Sequence, residues 1–234
     1  NNNKKYITKT LNCIKKLDYF VLVSKELYNF YKDKTNIKCV YIPNTYDLNI
    51  SKKSDISNNK IISVGRLSSE KGFLDLIDVM EKVNEKDKNI DLSLIGDGPE
   101  KEKIENKIKD YHLENKIHLL GTLNSKEISK HLVDSTIFLM TSYTESFGIV
   151  LLEAMEAGIL PIAFDTAQGA CEILENDKEI LIPNRDINLM AEKVLYYFNN
   201  RQVLQKKILE NNKRKNKYNI KEVQKLWIAL LEKR

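Results

Sequence analysis

From Ile61 onward the chain alternates short apolar runs with longer segments in which apolar residues recur every three or four positions. The short runs predict strands covered on both faces, and the periodic segments predict the helices that cover them. Six strands are expected, at residues 61–64, 92–95, 117–120, 137–140, 160–164 and 180–182, each bounded by turn or capping residues. Helices are expected between and after them at 73–84, 100–111, 126–133, 148–157 and 188–198. Alternation of this kind predicts an α/β domain with a doubly wound, Rossmann-like parallel sheet. Ligands of such sheets bind at the carboxyl ends of the strands, where loops meet helix N-termini.

The pattern differs at the two ends. Residues 19–23 and 38–42 read as strands, with Ser24 capping a helix that runs to about Tyr31 between them. Two strands and a helix are too little for an independent core, so this piece reads as the end of another α/β domain. The polar run 49–60 reads as the linker that follows. Near the other end, Val223, Leu226, Trp227, Leu230 and Leu231 fall on one helical face, expected to dock on protein, with a membrane-lying helix as the alternative. The domain plan is therefore 1–48, 49–60, 61–216 and a terminal helix in 217–234.

Composition narrows the class. With 234 residues, 42 % hydrophobic and 30 % charged, the chain is neither disordered nor fibrous. Its apolar runs fall far short of the roughly 20 residues that span a bilayer. The first five residues are polar with no apolar stretch behind them, so no secretory leader is expected. Cys13, Cys39 and Cys171 are odd in number and far apart, which fits reduced thiols and a cytoplasmic location. His112, His118 and His131 show no metal-ligand spacing, so no metal is expected. The net charge of +5 is assigned to solvated faces and to two basic stretches, 4–16 and 206–217. No nucleic-acid motif accompanies it, while phosphate-bearing ligands or an anionic membrane surface, and hence peripheral attachment to the inner membrane face, stay open.

Two strand-end loops carry candidate chemistry. The first is Gly65-Arg66-Leu67-Ser68-Ser69-Glu70-Lys71-Gly72. A diphosphate needs fixed positive charge, which Arg66 and Lys71 can supply beside a helix start, with Gly65 allowing close backbone approach. The plainer alternative is a surface turn in which Lys71 pairs with Glu70. The second loop, from Thr144 to Gly158, runs into a helix built from Ile149, Val150, Leu151, Leu152, Ala154 and Met155. Glu153 sits among these apolar neighbours, and an unpaired buried carboxylate costs several kcal/mol, so it requires a partner. The vicinal hydroxyls of a ribose would satisfy both its oxygens, and an internal ion pair is the alternative. The amides of Phe147, Gly148 and Ile149 would meet a phosphate at the helix N-terminus, with Glu145 and Ser146 beside the group it carries.

The spacing of Glu145 and Glu153, followed by Ala154-Met155 and Gly158, resembles a signature of retaining glycosyltransferases of the GT-B fold, family 4 in particular. Gly65-Arg66 through Glu70-Lys71-Gly72 is similar to that family's diphosphate loop, Leu94-Ile95-Gly96-Asp97-Gly98-Pro99 to its second strand end, and Leu120-Gly121 to its third. The resemblance covers residues 19–183 and implies a hexosyltransferase using a UDP- or GDP-linked sugar. It implies that Arg66 and Lys71 hold the donor diphosphate, Glu153 the ribose and Glu145 the transferred sugar, with Leu123 flanking the base. It further implies independence of metal and no dedicated catalytic base, the leaving phosphate accepting the proton during front-face attack. Residues 1–48 resemble the end of the acceptor domain, through which a glycan or lipid-linked acceptor of polysaccharide synthesis would bind, so the chain alone is expected to transfer weakly or not at all. One departure concerns the loop from Asp165 to Glu172, which lacks the Gly-Gly or Gly-Pro pair often found there; Cys171 within it is expected to be a buried thiol. The competing readings are a nucleotide-sugar-binding module without catalysis and a related GT-B epimerase or phosphorylase.

Overall fold

The computed structural model describes residues 2–47, 50 and 52–232. The boundary expected between 48 and 49 falls outside the described residues. A first unit comprises α1 (Asn2–Ile14), β1 (Tyr19–Leu22), α2 (Lys25–Lys32) and β2 (Lys38–Tyr41). Its two strands pair in parallel, with Tyr19 opposite Lys38 and Leu22 opposite Tyr41. The cap expected at Ser24 is present, its hydroxyl accepting the Leu27 N–H at 3.3 Å.

The second unit runs β3 (Lys60–Val64), α3 (Phe73–Lys86), β4 (Asp91–Ile95), α4 (Lys101–Asp110), β5 (Ile117–Gly121), α5 (Ser125–Val133), β6 (Ile137–Met140), α6 (Ile149–Ala157), β7 (Leu160–Phe164), α7 (Gln168–Ile173), β8 (Leu181–Ile182) and α8 (Ile187–Asn199). These strands form one sheet in the order β5-β4-β3-β6-β7-β8, with every pair parallel. Every residue of β6 and β7 is buried, as continuous apolar runs require when helices lie on both faces. The chain then continues through α9 (Arg201–Lys215) to α10 (Ile220–Leu231).

Several expectations need correction. The last strand begins at Leu181, because Ile180 is held in a turn by its N–H to the Asp177 carbonyl at 3.1 Å. Gly148 precedes α6 with φ 92, a left-handed conformation that only glycine adopts cheaply, so the helix starts at Ile149. The basic stretch 206–217 is only in part a solvated face: Lys206, Lys213 and Lys217 are exposed, but Lys207 and Lys215 are buried on α9. Lys207 meets Asp177, Glu179 and Glu210, and Lys215 meets Glu156. The segment expected to act as a linker is pinned along its described part, the Ser54 N–H donating to the Ala157 carbonyl at 2.8 Å and Arg201 donating to the Ile56 carbonyl at 3.0 Å. The apolar face of α10 is divided. Val223 and Leu230 pack on Ile42 of the first unit, whereas Leu226, Trp227 and Leu231 are exposed.

Polar contacts also join the units. Glu172 on α7 accepts the Lys25 N–H at 2.8 Å and the Tyr41 hydroxyl at 2.6 Å, and Tyr46 donates to Glu156 at 3.2 Å.

Candidate functional site

β3 and β6 are neighbours in the sheet although far apart in sequence, and the strand order runs outward from them in both directions. This is the topological switch point, where the helices that follow the two strands leave a crevice between them. A cavity of about 310 Å³ occupies it, lined by Gly65, Arg66, Lys71, Glu145, Ser146, Phe147, Gly148 and Ile149. Val23 and Asn44 of the first unit line it too.

The β3–α3 loop is shaped by its backbone. Residues Ser69–Lys71 form one 3₁₀ turn, closed by Gly72 at φ 64, where a Cβ would lie 2.1 Å from the Thr141 carbonyl oxygen. Gly72 therefore allows this loop to touch the end of β6. The contact is reinforced by the Tyr143 N–H, which donates to the Glu70 carbonyl at 2.8 Å, and by Thr141 Oγ1, which donates to the Lys71 carbonyl at 3.3 Å. The surface-turn alternative fails in its central feature, the Lys71–Glu70 pair. Glu70 instead accepts the Ser68 hydroxyl at 2.5 Å, which holds its carboxyl below the usual range with help from its own backbone, Lys71 and Arg66. Lys71 points inward to the carboxylate of Glu145, while Arg66 is exposed at the cavity rim.

The β6–α6 loop supplies the opposite wall. Gly148 turns the chain into α6 so that the N–H groups of Phe147, Gly148, Ile149 and Val150 find no acceptor among the described residues. Such a row of amides at a helix start presents partial positive charge, here beside Arg66 and Lys71. The Phe147 side chain is buried and meets the Tyr218 ring edge-on at 5.5 Å, which leaves its backbone for the cavity. The Glu145 carbonyl accepts the Gly169 N–H at 2.9 Å, fixing the root of the acidic side chain.

Glu153 lies one helical turn beyond Ile149 on the same side of α6, outside the immediate cavity lining. Burial pushes its carboxyl above the usual range. The internal ion pair weighed as an alternative is not found among the described residues, which leaves the half-buried carboxylate without a side-chain partner among them. Leu123 packs against the core near the end of β5 and is also outside the lining. The structure thus gathers Gly65, Arg66, Lys71, Glu145, Ser146, Phe147, Gly148 and Ile149, and leaves Glu153 and Leu123 outside the lining. Cys171 is half-buried on α7, its thiol donating to the Asp165 carbonyl at 3.1 Å, with burial pushing it up.

Sequence reasoning missed Val23 and Asn44, since their approach depends on how the units pack. It also missed a brace behind the first loop. Tyr143 donates to Asp75 at 3.1 Å, and Arg185 donates to the same carboxylate at 2.6 Å while stacking 3.8 Å from the Tyr143 ring centroid. Arg185 adopts φ 57, a conformation that no sequence motif announces.

Comparison with known proteins follows this geometry. Residues 48–216 match the family described as Glycosyl transferases group 1. The chain is 31 % identical over 165 residues to the amylovoran biosynthesis glycosyltransferase AmsD of Erwinia amylovora, covering 67 % of this chain and 46 % of that protein. It is 36 % identical over 126 residues to the poly(ribitol-phosphate) alpha-N-acetylglucosaminyltransferase of Staphylococcus aureus, covering 53 % of this chain and 25 % of that protein. Among solved structures, an S. aureus TarM variant in complex with fondaparinux, alpha-GlcNAc-glycerol and UDP superposes with a TM-score of 0.85 at 26 % identity, covering 98 % of this chain and 46 % of that one. The chain thus spans about half the length, or less, of these three proteins.

Proposed function

This chain belongs to the glycosyl transferases group 1 family and has the fold of GT-B glycosyltransferases, and on that footing we propose that it forms the donor half of a retaining, family 4 type hexosyltransferase. The reaction moves a sugar from a UDP- or GDP-linked donor to a glycan or lipid-linked acceptor in polysaccharide synthesis. Relatives named for amylovoran and colanic acid biosynthesis support this reading. So does the TarM structure, whose partners include UDP. The work takes place in the cytoplasm, with peripheral attachment to the inner membrane face as a further element of the proposal.

One observation carries the donor assignment: four amides at the start of α6, without an acceptor among the described residues, belong to residues that line the switch-point cavity together with Arg66 and Lys71. Fixed cations and a helix N-terminus together stabilise the charge that develops on a leaving diphosphate, so the residues present suit a metal-independent reaction. Ionised Glu153 accepts the two ribose hydroxyls, which compensates a carboxylate left without a protein partner. Glu145 orients the sugar, Ser146 and Gly65 flank the phosphates, and Leu123 borders the base further along the crevice. Residues 1–48 are the tail of an acceptor domain, and Val23 and Asn44 bring it to the cavity edge. Because the chain spans about half of its relatives, a nucleotide-sugar-binding module without transfer is the second reading.

Calorimetric titration with UDP, GDP and ADP and their sugars tests the assignment. Arg66→Ala is expected to weaken diphosphate binding by about 1.5–3 kcal/mol, the usual value of a charged hydrogen bond. Absence of diphosphate binding by correctly folded protein would refute the donor site. Incorporation of labelled sugar into acceptor then separates transfer from binding.

A further inference from the structure

Lys71 and Glu145 reach each other from opposite walls of the cavity. The walls would meet without this contact. They are joined by the backbone, through the Tyr143 N–H to the Glu70 carbonyl and the packing of Gly72 on Thr141. The positions of the two charges are therefore imposed on the side chains. Both side chains are largely buried, at 25 % and 19 % exposure, so water screens them less than a surface pair. Among the described residues, Glu145 is also the only acidic one lining the cavity, amid groups otherwise suited to an anion: Arg66, Lys71 and the α6 amides.

This arrangement sets two ligands apart. A nucleoside diphosphate that draws Lys71 to its phosphates strips Glu145 of its partner and leaves one negative charge facing another. When the terminal phosphate carries a sugar, hydroxyl groups stand between phosphate and carboxylate, and Glu145 gains hydrogen-bond donors in place of the ammonium it lost. We infer that Glu145 is a specificity-determining residue, which makes the site favour a sugar-bearing diphosphate over the bare nucleoside diphosphate and so speeds release of the spent product. The inference rests on the donor-site reading above.

The test is calorimetric titration of the full chain, wild type, Glu145→Gln and Glu145→Asp, with UDP and GDP and with the corresponding nucleotide sugars, folding being checked by circular dichroism. Removing one charge at this range changes a binding constant by about tenfold. Glu145→Gln is expected to bind the bare diphosphate about tenfold more tightly than wild type and the nucleotide sugar no more tightly. Glu145→Asp keeps the charge and is expected to show no gain for the bare diphosphate. A Glu145→Gln protein that binds the bare diphosphate no better than wild type overturns the inference while leaving the donor site standing. A folded wild type that binds neither UDP nor GDP overturns the donor-site reading, and the inference with it.

Discussion

Two carboxylates one turn apart on α6 meet opposite treatment. Glu156 faces the first unit and α9, where it receives the ammonium of Lys215 and the hydroxyl of Tyr46. Glu153, three residues earlier, receives nothing from the described residues and is pushed by burial toward its neutral form. A helix whose purpose was packing would carry an apolar residue at 153, since an unpaired, mostly buried carboxylate lowers stability. Glu156 is thus a structural joint, and Glu153 is a cost to the fold that a ligand can offset. The difference lies in the partners supplied and not in the residue type.

The largest effect expected is on the structural side. Glu156→Leu leaves Lys215 buried at 6 % exposure without its counter-ion, and breaking such a pair costs about 3 kcal/mol. For a chain of this size each kcal/mol lowers the melting temperature by roughly 2–4 °C. Thermal melting is therefore expected to show a clear drop, while calorimetry on the folded protein shows unchanged nucleotide affinity. A drop in affinity of the same size would erase the distinction between the two carboxylates.

Glu153→Leu is expected to do the reverse. Nucleotide affinity should fall by about 1.5–3 kcal/mol through loss of charged hydrogen bonds, with a melting temperature equal to or above that of the wild type. A lowered melting temperature in the absence of ligand would show that Glu153 has a structural partner and would break the comparison.

The smallest effect expected is in pH dependence. Because Glu153 is held above the usual carboxylate range, its contribution to stability is fully present below the unfolded-chain value and is lost as pH rises through the raised one. Asp177 behaves oppositely. Burial pushes it up, but Arg214, the Glu179 amide and Lys207 outweigh that effect and hold it low. Its contribution is present above the unfolded-chain value and is lost as pH falls through the lowered one. Denaturant titrations across the acidic range should therefore show Glu153→Gln losing less stability than wild type as pH rises toward neutrality. Solvent screening keeps the difference on the order of 1 kcal/mol or less.

The same contrast explains what the sequence disclosed. β6 and β7 were legible because every residue in them is apolar and buried, and Glu153 because a charge stands out in an apolar helix. α9 was not, since its buried face includes Lys207, Asn211 and Lys215 beside Leu204 and Ile208, and its burial rests on acids contributed by distant segments. α7 is only six residues long, too short for periodicity to register. In the site, residue types were legible and partners were not. Lys71 could have paired with its sequence neighbour Glu70, and the choice of Glu145 followed from two loops meeting through backbone contacts that no local pattern encodes.

The return of α10 to Ile42 bears on the order in which the molecule is made. Synthesis delivers β1 and β2 ahead of the second unit, yet the helix that covers Ile42 follows that unit. Domains generally fold as they are produced, from the N-terminus onward. Here β1 and β2 wait, their apolar surface open to chaperones and to misassociation, until α10 leaves the ribosome. Val223 and Leu230 therefore cover the first unit from a distant segment, and shortening the chain before them would uncover Ile42.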